Sequence, residues 1–182
     1  MQVPVVASSG HVDVTRHDHP WRAGQGGPRG NRVASRLTRE ADVIVVLGAR
    51  LGFNSKFYTS EFVNFKACIA HVDIDDSAAG RYSPVEIAVQ ADAFQSAQVL
   101  MKTPASDVDP WREAFAADMT SLVADRADEA EITTLSIHPK RVLVEIREAL
   151  PEEVIVTLDT GNTCLQAGDR LARYQSPDLV TP

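Results

Sequence analysis

The chain has 182 residues, 44% hydrophobic and 24% charged, the composition of a globular protein able to bury a real core. Its formal charge of −7 argues against non-specific nucleic-acid binding, and no segment approaches the about 18 continuous apolar residues of a membrane span. Residues 1 to 60 hold eight Lys/Arg against four Asp/Glu, so a +4 start precedes 122 residues carrying −11, which fits either an anionic small ligand or simple helix-surface solvation.

In chain order, VPVV at 3 to 6 predicts a buried strand, because β-branched side chains pack on both faces of a pleated sheet. A flexible glycine- and proline-rich loop is expected from Gly10 to Gly30. Asn31 stands where an N-cap belongs, ahead of RVASRLTREA (32 to 41), whose Val33, Ala34, Leu37 and Ala41 share one helical stripe. DVIVVLGAR (42 to 50) is a continuous apolar strand that ends at Gly48. CIAHVDID (68 to 75) and EIAVQAD (86 to 92) follow as strands, and AFQSAQVLM (93 to 101) as a closing helix. Strand runs separated by helices, with no Asn-Gly or Asp-Gly hairpin turn between them, predict an α/β fold with a Rossmann-like, doubly wound parallel sheet.

At TPASDVDP (103 to 110) proline, serine and aspartate mark a linker. WREAFAADMTSLVADRADEAE beyond it reads as a polar amphipathic helix assigned to neither sheet. The βα rhythm then restarts. HPKRVLVEIREAL (138 to 150) is a helix with Val142, Leu143, Ile146 and Leu150 on its inner face; EVIVTLD (153 to 159) is a buried strand; NTCLQAGDRLARY (162 to 174) is a helix; DLVTP (178 to 182) begins another strand. The expected divisions are 1–103, a linker with helix at 104–137, and 138–182.

Ligands of open parallel sheets bind beyond the carboxyl ends of the strands. Those ends hold Gly48, Ala49 and Arg50, then Asp73 and Asp75, then Gln90 and Asp92. Glycine admits a close ligand, a carboxylate accepts from ribose hydroxyls or an adenine amino group, and arginine clamps phosphate, so the set describes a nucleotide crevice. The same residues also fit plain strand ends: Gly48 as terminator, Asp75 as turn cap, Arg50 paired to a nearby acid. GQGGPRG (24 to 30) is no dinucleotide fingerprint, since Arg29 stands at the third glycine position and RHDHPWRA, not a strand, precedes it. His17, Asp18 and His19 lack a convergent third ligand and read as a surface turn.

VIVTLDTGN (154 to 162) is the sharper signal. A strand end, Gly161, then Asn162 and Thr163 opening a helix would bring free N–H groups and a positive helix end to one point, a seat for a diphosphate; a simple turn capped by Asn162 is the alternative. No nucleophile and base stand at recognisable spacing. Cys68 and Cys164 have neither zinc nor redox spacing, and MQVPVVASSG lacks a basic leader, so a reduced, cytoplasmic protein is expected.

HP…G…GNRVASRLTREADVIVVLGARLG, AHVDIDDSAAGRYSPVEIAVQADA and HPKRVLVEIREALPEEVIVTLDTGN, in that order, resemble thiamine-diphosphate-dependent enzymes of the acetolactate synthase and decarboxylase superfamily. The resemblance implies that 1–103 is a central domain lacking its start and that 138–182 opens the C-terminal, cofactor-binding domain. It implies FAD, an ADP moiety or nothing in the crevice of Gly48, Arg50, Asp73, Asp75 and Asp92, and thiamine diphosphate gripped at Gly161, Asn162 and Thr163. Asn-Thr stands where acetolactate synthases commonly have Gln-His. The activating glutamate and the GDG…N magnesium motif of the family are expected outside these residues, so the chain alone is expected to hold at most a nucleotide. The complete enzyme would use thiamine diphosphate and Mg2+ to form a C–C bond or decarboxylate a 2-oxo acid, as a homo-oligomer or with a chain supplying the missing domains. A non-catalytic nucleotide-binding or interaction module is the alternative. Residues from about 130 onward, short of sheet neighbours, are expected to exchange amide hydrogens quickly or to drive association.

Overall fold

The computed structural model describes residues 2–57, 59, 61–64, 66–104, 108–134, 136–151, 154–159, 161–171 and 179–180. The elements in chain order are β1 (Val5–Ala7), β2 (Arg22–Gln25), α1 (Arg32–Glu40), β3 (Val43–Leu47), α2 (Phe53–Lys56), β4 (Cys68–Asp73), β5 (Ile87–Gln90), α3 (Ala93–Met101), α4 (Asp109–Ala130), α5 (Pro139–Ala149), β6 (Val156–Thr157), α6 (Asn162–Arg170) and β7 (Leu179–Val180). Every strand pair is parallel: β1 with β2, β3 with β4 with β5, and β6 with β7. This is the α/β architecture that the alternation of strand and helix predicts.

The expected loop from Gly10 to Gly30 contains β2, which the sequence reading missed. Arg-Ala-Gly-Gln is a poor strand former by propensity, but a ready parallel partner in β1 and burial of Ala23 and Gln25 override that preference. Nor are residues 23–27 a loose surface loop, since all five are buried. Asn31 does cap α1, its side chain accepting from Ala34 N–H at 2.9 Å.

Three apolar clusters hold the chain together. Ala23 from β2, Val33, Ala34 and Leu37 from α1, and Phe115 and Leu122 from α4 form one, with Trp21 stacked on Phe115 at 6.0 Å. The helix that the sequence left unassigned to either sheet therefore packs on the β1–β2 layer. Ala7 and Val12 share a second cluster with Leu143, Val156, Ala167 and Leu171, so the first and last parts of the chain have a common core. Val46, Val63, Ala67 and Ile69 make the third, under β3 and β4.

Three further expectations are corrected. The inner face of α5 is Leu143 and Val144, while Val142 and Ile146 are about 40% exposed. The sequence carries two overlapping apolar stripes, and α5 lies against both α4 and α6, whose positions choose between them. β3 is buried on one side only, with Val46 at 4% exposure against 63% for Val43 and 43% for Val45. All four residues of β5 are exposed, because it is the edge strand of this layer. β6 is two residues long instead of seven; 152–153 and 160, like 172–178 and 181–182 of the expected last helix and strand, lie outside the described residues. Among the described residues no helix is long and apolar enough to cross a membrane.

Candidate functional site

The carboxyl ends of β3, β4 and β5 converge, as parallel register requires. Gly48, at φ +60°, donates its N–H to Val72 O at 2.9 Å, and Ala91 N–H bonds Asp73 O at 3.0 Å. A side chain at Gly48 would bring its Cβ within 3.3 Å of Ala93 Cβ, so this glycine also lets α3 close over the strand end. Gly48, Asp73, Asp75 and Asp92 therefore cluster at one edge, with Arg50 close enough for its charge to act on Asp75.

Local structure already engages the acids. Asp92 caps α3, accepting from Gln95 N–H at 2.8 Å. Asp73 is buried and accepts from Asp75 N–H at 3.0 Å. Hydrogen bonds from the Ser77 hydroxyl and N–H hold the Asp75 carboxyl below its ordinary range, and the Arg50 and Arg81 guanidinium groups add to this. Asp75 is thus a turn cap and Asp92 a helix cap, and either would offer a ligand only its remaining acceptor capacity.

Cations gather beside the same edge. Lys56 on α2 bonds Tyr82 O, Arg81 lies 5.5 Å from the Tyr82 ring centroid, and Arg29 lies 5.5 Å from that of Phe57. Arg29 also buries an Nε without a partner among the described residues. The sequence offered none of Arg29, Lys56 and Arg81 as a ligand, since they are far apart in the chain and approach one another through α2 and its flanks. Carboxylates and cations are what a ribose and a phosphate respectively require. His71, two residues before Asp73 on the same face of β4, is 2% exposed, and its Nε2 has no partner among the described residues.

The second candidate, the turn into α6, lies on the β6–β7 layer. Gly161 rather than Asn162 occupies the N-cap, at φ +150°, with no side-chain cap bond. The first-turn N–H groups are therefore not capped by that residue, and among the described residues a Cβ at Gly161 would meet nothing within 4 Å. Room at a helix N-terminus whose cap residue has no side chain suits a phosphate. The side chains of Asn162 and Thr163 lie outside the described ones.

The far end of α6 is tied down by groups that sequence reading did not single out. Asp169, 3% exposed, pairs with Arg126 of α4, and its Oδ1 accepts from Asn31 Nδ2 at 3.0 Å and Gln25 N–H at 3.3 Å. Arg170 donates to both Glu129 oxygens, at 2.9 and 3.0 Å, and Lys140 reaches Glu129 at 3.1 Å. Burial opposes ionisation of Glu129, but those two cations outweigh it and hold its carboxyl at about 2. The available signal was an Asp-Arg pair on α6 facing an Arg and a Glu three residues apart on α4. In the expected surface turn at 17–19, Arg16 pairs with Asp18 and His19 Nδ1 accepts from Trp21 N–H at 3.2 Å.

Comparison with known proteins agrees with this architecture. The chain is 27% identical over 198 residues to the sulfoacetaldehyde acetyltransferase of Castellaniella defragrans, covering 96% of this chain and 33% of that protein. It is 21% identical over 182 residues to the acetolactate synthase isozyme 2 large subunit of Escherichia coli K12, covering 99% and 32%. With the isozyme 1 large subunit of the same organism the identity is 30% over 116 residues, covering 63% and 20%. The chain spans about a third of the length of the curated relatives it matches over most of its length. Residues 1–100 match the family of the thiamine pyrophosphate enzyme central domain, and with the parallel α/β layers over those residues the chain belongs to that family.

Proposed function

We propose that this chain is the central portion, with the opening of the cofactor-binding portion, of a thiamine-diphosphate-dependent transferase. The observation that carries the reading is the order of parts: a central-domain match over 1–100, then a strand, Gly161 at an N-cap and a helix downstream in the same chain. Divisions at 1–103, 104–137 and 138–182 suit that order, although the shared core of Ala7 and Val12 with Leu143 and Val156 makes the outer two one packing unit.

In this reading the backbone N–H groups of the first turn of α6, with Asn162 and Thr163, hold the diphosphate of the cofactor. Bound thiamine diphosphate, with Mg2+, supplies the electron sink for a C–C bond made or broken next to a carbonyl. Gly48, Arg50, Asp73, Asp75 and Asp92, with the cations around α2, receive an adenine nucleotide, FAD or an ADP moiety, whose role is to fix orientation. The names of the relatives, sulfoacetaldehyde acetyltransferase and acetolactate synthase, favour handling of a two-carbon acyl unit and a small anionic carbonyl compound. The remaining two thirds of such an enzyme would come from further polypeptide, in the same chain or a partner. The open face of β3 and β5, with Val43, Val45, Ile87 and Val89, supports that requirement.

The test is calorimetry on the 182-residue chain with ADP, FAD and thiamine diphosphate plus Mg2+ in separate titrations. Saturable binding of an adenine ligand, weakened by Arg50→Ala, is expected, with thiamine diphosphate weak in the absence of the remaining polypeptide. Robust acetyl transfer or decarboxylation by the isolated chain would overturn the division of labour. Failure of both adenine ligands to bind would remove the nucleotide crevice.

A further inference from the structure

Asp169 sits where the helix behind the diphosphate turn meets the central portion. Its carboxylate is 3% exposed, deeper than most charged groups tolerate without several partners. One oxygen pairs with Arg126; the other accepts from Asn31 Nδ2 and Gln25 N–H. Asn31 is itself fully engaged: Nδ2 also donates to Ala23 O at 2.8 Å, Oδ1 caps α1, and its N–H bonds Gln25 O at 3.0 Å. The glycine loop is cut to fit this contact. A Cβ on Gly24 would lie 2.6 Å from both Asn31 Nδ2 and Asp169 Oδ1, and one on Gly168 would lie 3.2 Å from Gln25 Oε1.

We infer that Asp169 is a positioning residue that registers α6, and with it the Gly161 turn, against the glycine loop of the central portion through Asn31. α6 is nine residues long, about 13 Å, and anchored at its last turn. A rigid helix held at one end transmits any shift at Asp169 to Gly161. Asn31 in turn starts α1, which leads to β3 and Gly48, so one buried carboxylate joins the elements that carry the two candidate sites. The consequence for a diphosphate rests on the proposed function; the latch itself does not.

Hydrogen exchange by mass spectrometry on the full chain tests it, with no ligand present, so that failure of the latch and failure of cofactor binding are separable. Asp169→Asn and Asn31→Asp are each expected to speed exchange about tenfold in both 23–31 and 161–171, because a charged buried hydrogen bond is lost. Asp caps a helix as well as Asn does, so residues 34–40 should keep their protection in the second variant. In the double variant an amide at 169 again faces a carboxylate at 31, and part of the loss should return. Loosening of only one segment, or losses that simply add in the double variant, would overturn the inference. Should Asp169→Asn fail to fold, Asn31→Ser keeps the cap and removes only the amide donor, and a change confined to 23–31 would count against the latch.

Discussion

Arg170 of α6 grips Glu129 of α4 with two parallel hydrogen bonds, and the neighbouring Asp169 pairs in the opposite sense with Arg126, one helical turn before Glu129. Two adjacent charges on one helix thus meet two complementary charges on the other. Reversing the order of either pair would set like charges together, so the pattern fixes how the helices dock as well as holding them.

Acid should loosen this contact in a defined window. The Glu129 carboxyl is held at about 2, against an ordinary value of 4.5. A depressed folded-state value means stability fully present above pH 4.5 and lost as pH falls from 4.5 toward 2. Urea denaturation at pH 7 and at pH 3 should show a loss of about 1–3 kcal/mol attributable to this residue. Glu129→Gln should be less stable at pH 7 and show a flatter acid limb; an unchanged pH dependence would mean that the pair contributes nothing.

The two glycines flanking the latch and the turn should respond differently to alanine. Gly24 has φ +86° and no room for a Cβ, so Gly24→Ala should cost about 2–4 kcal/mol. Gly161 has φ +150° and no close neighbour among the described residues, so Gly161→Ala should cost about 1–3 kcal/mol, from backbone strain without a clash. Equal denaturation midpoints for the two variants would contradict the close approach at Gly24.

His71→Leu should leave stability unchanged or raise it by about 1 kcal/mol, since it removes a buried ring nitrogen that lacks a partner among the described residues. A clear drop in the thermal midpoint would reveal a hydrogen bond to that nitrogen.

Two neighbouring valines on β3 test the one-sided burial of that layer. Val46→Ala, in the core, should cost about 1–3 kcal/mol, whereas Val45→Thr, on the open face, should cost less than about 0.5 kcal/mol and reduce self-association in sedimentation. A large loss at Val45 would show that the face is covered in solution.

Much of the fold was legible because local rules and tertiary context agree. Asn31 before an apolar stripe marked the start of α1, and AFQSAQVLM after Asp92 marked both ends of α3, since N-capping is a contact within four residues. Parallel pairing followed from long strand-to-strand connections without tight turns. β2 was hidden because Arg-Ala-Gly-Gln has no strand signature of its own and becomes a strand only beside β1. The α5 face was misjudged because two apolar stripes compete and only the places of α4 and α6 decide between them.

The sequence by itself determined the parallel α/β class, the starts of α1 and α3 and the acids and glycines at the strand ends, because each depends on residues close in the chain. Tertiary structure alone decided that Arg29, Lys56 and Arg81 gather around α2 and that Asp169 reaches Asn31. Asp169 and Asn31 are 138 residues apart in the chain, and no periodicity or motif encodes a contact whose strength comes from joint exclusion of water.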